Sequence, residues 1–231
     1  MEPDPRVPVS GSKIDSLTSD VIKISVGESG QIFHVHRSLL CSTSDFFQKA
    51  IKQEWDTLRA ESGLITLAED NPADFKLYVH WIYYKTLPTT IGVKASDEEV
   101  STLVRAYALG EAIMDIEFKN TVIEALISIF AQEDQSARCF PSGDDVSFIC
   151  EALPTSSLLR KLAVDAYVYI GFFTEFGYWT KRIEKCPKEF LVDVATALFK
   201  RPKPSYEERP WVASKQQYLE ANARDGGKDH E

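Results

Sequence analysis

Ser19-Asp20-Val21-Ile22-Lys23-Ile24-Ser25-Val26-Gly27, answered by Phe33-His34-Val35-His36-Arg37-Ser38-Leu39-Leu40-Cys41-Ser42-Thr43-Ser44-Asp45-Phe46-Phe47, decides the fold of this 231-residue chain. Between Val21 and Val26, Ile22, Ile24 and Val26 fall on one face of an extended chain and Lys23 and Ser25 on the other. Gly27-Glu28-Ser29-Gly30 turns the chain, and Gln31 to Val35 returns with Phe33 and Val35 on one face. Period-two alternation around a glycine-bearing loop predicts a hairpin. After His36 the period changes. Leu39 and Leu40, then Phe46, Phe47, Ala50 and Ile51, recur three and four apart as on a helix, with Ser42 or Thr43 where a cap is expected.

Working outward, Leu64-Ile65-Thr66-Leu67 reads as a third strand. Asp70-Asn71-Pro72 opens a helix, a capping side chain before a proline in the first turn. Its apolar stripe is Phe75, Tyr78, Val79, Ile82 and Tyr83, and Leu87-Pro88 ends it. A linker, Thr89 to Ala95, leads to Ser96-Asp97-Glu98-Glu99, which has the capping-box spacing. The helix it opens buries Val100, Leu103, Val104, Tyr107 and Ala108, and the one after Asp115 buries Val122, Ile123, Leu126, Ile127 and Phe130. Beyond Pro141 only helices are expected: Asp144 to Leu153, Ser156 to Ile170 and Pro187 to Phe199. The pattern is that of an α+β protein, a small β-sheet against a helical cluster, followed by an all-α extension. The expected organisation is a proline-bearing disordered leader over 1–15, a first domain over 18–130 with its core motif at 20–88, a helical extension over 141–200, and a flexible tail over 201–231. That tail carries Tyr206, Trp211, Tyr218 and Leu219 as its few adhesive points.

Composition narrows the function classes. The 26 Lys and Arg against 35 Asp and Glu leave a formal net charge of −9, which opposes binding to phosphate backbones; no nucleic-acid partner is expected. Four cysteines, Cys41, Cys139, Cys150 and Cys186, show no paired spacing and read as reduced thiols of an intracellular protein, in cytoplasm or nucleus. The N-terminus has no secretory pattern, and no run approaches the roughly 18 apolar residues that a membrane span needs. The nucleophile elbow, phosphate loop, dinucleotide fingerprint and calcium loop are all missing, so no catalytic residue and no cofactor is expected. His34, His36 and Cys41 form at most a fragment of a metal site; with only His80 and His230 remaining as histidines, the paired ligand spacings of structural zinc are not met. The adjacent carboxylates Asp144-Asp145, Glu98-Glu99 and Glu207-Glu208 sit at helix starts or in the tail, where the helix dipole explains the first two pairs. The aromatic run Tyr167 to Phe173, with Phe176, Tyr178 and Trp179, reads either as core or as an exposed partner site.

The Ser-Asp-Val strand, the Phe33-x-Val35-His36-Arg37-Ser38-Leu39-Leu40 junction and Phe46-Phe47 together resemble the start of a BTB/POZ domain. Ile65-x-Leu67, Phe75-x-x-Tyr78-Val79-x-Trp81-Ile82-Tyr83, Tyr107-Ala108-Leu109-Gly110-Glu111 and Phe118-Lys119-Asn120-x-Val122-Ile123 continue the resemblance in the right order. Pro154 to Val168 is similar to an extension found in many fungal BTB proteins. The resemblance implies a non-enzymatic protein-interaction module with protein partners, either a cullin-type ubiquitin-ligase adaptor or a scaffold that self-associates as a homo-oligomer. It implies protein-binding roles for Asp20, His36, Arg37, Leu58 and Glu61. Positions matching Asp20 and Arg37 line a dimer groove in transcription-factor members, and an ion pair between them equally suits pinning the hairpin to its helix. His36, at the strand-to-helix junction, is expected to satisfy backbone groups that the helix start leaves over. Members that form the strand-exchanged homodimer carry an additional strand and helix before the Ser-Asp-Val motif; here the leader and Ile14 to Thr18 stand there, which counts against that dimer. Cullin-binding members often show a hydrophobic-x-Glu motif, where this chain has Leu58-Arg59-Ala60-Glu61, with Leu58 one residue out of register. The glycine usual after the Trp-Ile-Tyr helix is replaced by Tyr84-Lys85. No zinc finger or kelch repeat accompanies the pattern.

Overall fold

The structure, a computed structural model, describes residues 17–56, 64–88, 95–132, 139–173, 183–200 and 209–221. It divides into two units, Met1–Lys85 with Ile113–Asp115, and Thr86–Ala112 with Ile116–Glu231. The expected leader 1–15, the linker residues 89–94, Leu58 and Glu61, and Phe176, Tyr178 and Trp179 lie outside the described residues.

In the first unit, β1 (Val21–Val26) and β2 (Gln31–His36) form the expected antiparallel hairpin, and β3 (Leu64–Leu67) pairs with β1 in parallel, giving the order β2-β1-β3. The register sets Val21 opposite His36 and Ile24 opposite Phe33 on one side and opposite Ile65 on the other. Alternation then sends Ile22, Ile24, Val26, Val35, Ile65 and Leu67 into the core. Gly27 turns the hairpin with φ +74°, and a Cβ on it would lie 3.0 Å from the Pro72 ring, so both backbone and space demand glycine there.

Helices α1 (Arg37–Thr43) and α2 (Asp45–Asp56) follow. The sequence placed a cap at Ser42 or Thr43; the structure moves it to Ser44. The Ser44 N–H closes α1 on the Leu40 carbonyl at 3.2 Å. Its fully buried hydroxyl accepts the Phe47 N–H at 3.1 Å and donates to the Ile113 carbonyl at 2.6 Å. Ser42 instead donates to Leu39 within α1 at 2.8 Å. Helix α3 (Pro72–Tyr84) begins as expected, with Asn71 accepting the Ala73 N–H at 2.8 Å and a proline in the first turn. Its buried stripe is Phe75, Tyr78, Trp81 and Ile82, rotated from expectation so that Trp81 enters the core and Tyr83 lies at its edge. The cause is aromatic packing. Phe47 and Trp81 both stack near-parallel with Tyr78, at 6.4 and 6.0 Å, and Phe75 meets Phe33 edge-on at 5.0 Å. Each such pair is worth about 0.5–1.5 kcal/mol beyond its buried area. Lys85 takes the left-handed conformation that ends α3, φ 54°, where glycine is usual, and its ammonium lies 3.5 Å from the centre of the Trp81 ring.

The second unit is helical: α4 (Asp97–Ala112), α5 (Ile116–Phe130), α6 (Gly143–Ala152), α7 (Leu158–Phe173), α8 (Lys188–Lys200), the four-residue α9 (Pro210–Ala213) and a 3-10 turn (Lys215–Tyr218). Ser96 caps α4 by accepting the Glu99 N–H at 3.1 Å. At α6 a full capping box forms, Asp145 accepting the Ser142 N–H at 2.7 Å while Ser142 accepts the Asp145 N–H at 3.1 Å; the Asp144-Asp145 pair is thus a helix start. Gly110 lets α4 and α5 close on each other, since a Cβ there would stand 2.7 Å from the Lys119 stem. The aromatic run proves to be core where it is described: Tyr167 and Tyr169 are buried, with Phe190 edge-on to Tyr167 at 5.1 Å. Residues 209–221, expected within a flexible tail, are folded instead, with Trp211 and Tyr218 wholly buried, because the adhesive residues noted in that stretch find aromatic and ionic partners far away in sequence. Among the described residues no helix is long and apolar enough to cross a membrane.

Candidate interaction surface

Of the five sequence-nominated residues, Asp20, His36 and Arg37 meet at one corner of the first unit. β1 begins there, β2 ends there and α1 starts. The register brings Val21 beside His36, and the Arg37 N–H donates to the Asp20 carbonyl at 2.8 Å, so Asp20 and Arg37 are joined through the backbone. Ser19 adds a second tie: its hydroxyl accepts the Ser38 N–H at 3.2 Å and lies 2.9 Å from the Ser38 hydroxyl. The first two free N–H groups of α1 are therefore satisfied by Asp20 and Ser19, a task the sequence had assigned to His36. The His36 ring makes no capping bond. It turns to α3, where Nδ1 lies 2.7 Å from the Tyr83 hydroxyl, the same oxygen that accepts the His36 N–H at 3.3 Å. One phenol thus serves both polar groups of a junction residue, and the rings pack edge-on at 5.8 Å. Ser19 and Tyr83 are the positions that reasoning from sequence missed. Ser19 was visible in the Ser-Asp-Val motif, whereas Tyr83 was taken for one of the stripe of core residues on its helix. One turn into α1, burial pushes the Cys41 thiol up while the Arg37 guanidinium opposes that rise.

Beside this corner lies the outer face of the sheet. Val21, Ile32 and Leu64 are 51%, 46% and 40% exposed on it, one from each strand, with Lys23 paired to His34 and to Leu64. The Asp20 carboxylate is exposed at its margin. The face mixes exposed apolar side chains with Lys23 and His34 at its centre. In the second unit, α8 likewise turns Val192 and Phe199 to solvent seven residues apart, Phe199 almost completely.

A cleft of about 450 Å3 runs between the start of α7 and the second half of α8, lined among others by Arg160, Lys161, Asp165, Asp193 and Lys200. Arg160 is held by a single oxygen of Asp193 at 2.7 and 3.0 Å with Glu189 at 3.6 Å, and Asp165 accepts the Tyr218 hydroxyl at 2.6 Å. Cys150, near that cluster, is raised to about 11 by burial, with Arg160 opposing the rise, so it is a protonated thiol at neutral pH. Among the described residues no three His, Cys, Asp or Glu side chains gather for a metal ion.

Three strands in the order β2-β1-β3 with a helix springing directly from the second strand, followed by further helices, make this a small mixed α+β fold. Residues 15–120 match the BTB/POZ domain family, and this part of the chain is a BTB/POZ domain. The match covers the strands and helices of the first unit and continues through α4 into α5. BTB/POZ domains mediate protein–protein interaction and oligomerisation, and the chain is accordingly a protein-interaction module. No curated protein matches the chain.

Proposed function

We propose that this protein is a non-enzymatic adaptor that joins a cullin-type ubiquitin ligase to another protein, acting inside the cell, in cytoplasm or nucleus. The observation that carries this reading is the BTB/POZ domain followed by further helices, α6, α7 and α8, which is where adaptors of this kind carry their second partner site. In this arrangement the domain over 18–130 docks the cullin, with Asp20, His36 and Arg37 framing one edge of the surface and Leu58 and Glu61 serving as its hydrophobic-x-Glu contact. The extension over 141–200, of the kind found in fungal BTB proteins, completes that surface or presents a second one.

A second reading is a scaffold that self-associates and binds no cullin. Two observations favour it: the displaced Leu58-Arg59-Ala60-Glu61 motif, and the apolar outer face at Val21, Ile32 and Leu64, suited to a second copy.

Calorimetric titration with the N-terminal domain of the BTB-binding cullin of its own organism separates the two. The adaptor reading requires a Kd tighter than about 1 μM, or roughly −8 kcal/mol, with the heat lost in Leu58→Asp and in Glu61→Arg. No heat at tens of micromolar, about −6 kcal/mol or weaker, sinks it in favour of the scaffold.

A further inference from the structure

Residues 209–221 lie on the second unit as a bound peptide lies on its receptor. Their own secondary structure is two four-residue turns, too short to persist unaided. What holds them is a row of side chains from α4, α5 and α7. At one end Arg209 donates to the Ala131 carbonyl at 2.7 Å, and Trp211 fills a pocket between Phe130, Phe140 and Tyr169, with ring centres 5.1 to 6.1 Å away. In the middle, Tyr218 donates to the buried Asp165 carboxylate at 2.6 Å, while Lys161 bonds the Gln217 carbonyl at 3.2 Å and lies 5.2 Å from the centre of the Tyr218 ring.

At the far end Asn120 grips the backbone of Glu220 from both sides, accepting its N–H at 2.8 Å and donating to its carbonyl at 2.9 Å. The Glu220 carboxylate takes the Lys119 ammonium at 2.6 Å and the Tyr107 hydroxyl at 3.3 Å. A side-chain amide satisfying both polar groups of a single residue reads an extended backbone whatever its side chains, and the pockets beside it read the side chains. The fit is incomplete at one point: the Trp211 indole N–H is buried with no partner, so the pocket reads an aromatic ring and nothing specific to tryptophan.

We propose that this groove is a peptide-docking site, that 209–221 is its occupant within the chain, and that a short segment of a partner protein, taking up the same turns, enters the groove in exchange. The chemistry of that segment is read from the present occupant: an aromatic residue, a tyrosine seven positions after it, and a carboxylate two positions further. The proposal concerns a different surface from the cullin contact and stands or falls separately from it.

The test uses the full-length chain and a fluorescently labelled peptide of residues 209–221. Tethering places the resident segment at a high effective concentration, so the wild-type chain binds the added peptide weakly. Glu220→Lys in the chain sets a cation against Lys119 and loosens the resident segment without emptying its aromatic pocket. Peptide affinity, read by anisotropy, is then expected to rise at least tenfold, and adding Asn120→Ala to that chain is expected to reverse the gain. Circular dichroism on each variant checks that the helices persist. Absence of saturable binding to a folded Glu220→Lys chain, or binding that Asn120→Ala leaves unchanged, overturns the proposal. Collapse of helical structure in Glu220→Lys overturns it as well, because the segment would then be an integral part of the core; Glu220→Gln, which removes only the charge, repeats the comparison with less disturbance.

Discussion

Ser44→Ala removes one oxygen atom that serves two elements of the first unit. The hydroxyl caps α2 through the Phe47 N–H and donates to the carbonyl of Ile113, sixty-nine residues away, in wholly buried surroundings. Losing a serine N-cap costs about 1 kcal/mol, and a buried acceptor deprived of its donor about 1–3 kcal/mol. The expected loss is about 2–4 kcal/mol, a large fraction of the total stability of a domain. At an m-value of about 2 kcal/mol/M the urea midpoint falls by about 1–2 M. Ser42→Ala is the matched control, since Ser42 is exposed and bonds its own helix, and it is expected to cost less than about 0.5 kcal/mol. The reasoning fails if the two variants lose comparable stability, or if Ser42→Ala loses more, because the cap would then sit where the sequence first placed it.

Gly27→Ala has to hold φ near +74° and press a methyl against Pro72, for an expected loss of at least about 2 kcal/mol in chemical denaturation; a neutral result contradicts the close approach of the hairpin to the start of α3. Lys85→Gly relieves a left-handed backbone worth about 1 kcal/mol while giving up a cation–π contact of about 0.5–1 kcal/mol, so its midpoint is expected to stay close to wild type, whereas Lys85→Ala loses the contact without the relief and is expected to fall. Burial, aided by Asp115, holds the Tyr78 hydroxyl well above the usual tyrosine value, and burial with Glu220 does the same to Tyr107. The folded chain keeps these protons after the unfolded chain has shed them. Stability is therefore expected to be intact below about pH 10 and to fall above it by about 1.4 kcal/mol per pH unit for each tyrosine, with a shallower decline in Tyr78→Phe.

The hairpin, β3 and the opening of α3 were legible because local chemistry decides them: alternation, a glycine turn, an asparagine before a proline. The features that were misread depend on distant partners. Ser42, Thr43 and Ser44 are equivalent as caps within their own stretch, and only the Ile113 carbonyl selects Ser44. His36 had a helix start next to it, yet its ring answers to Tyr83, forty-seven residues on. Trp81 was hidden by a stripe drawn from periodicity alone, whereas stacking on Tyr78 sets which face of α3 turns inward. Residues 209–221 carry a proline and scattered charges like a tail. Their order comes from Trp211, Tyr218 and Glu220, and Glu220 meets its partners one hundred or more residues away, beyond any window of sequence. The departure at Tyr84-Lys85 was visible in advance; that the lysine tolerates glycine's conformation by covering Trp81 was not.

Hydrogen exchange on the protein with and without the N-terminal domain of the cullin tests the central claim most directly, because it reports where contact occurs as well as whether it does. Protection is expected in the BTB/POZ domain, within residues 15–120, and to include the Asp20–Arg37 corner or the stretch around Leu58 and Glu61. Protection confined to α6, α7 and α8, or none at saturating cullin, would contradict the claim that the BTB/POZ domain is the docking surface for the ligase.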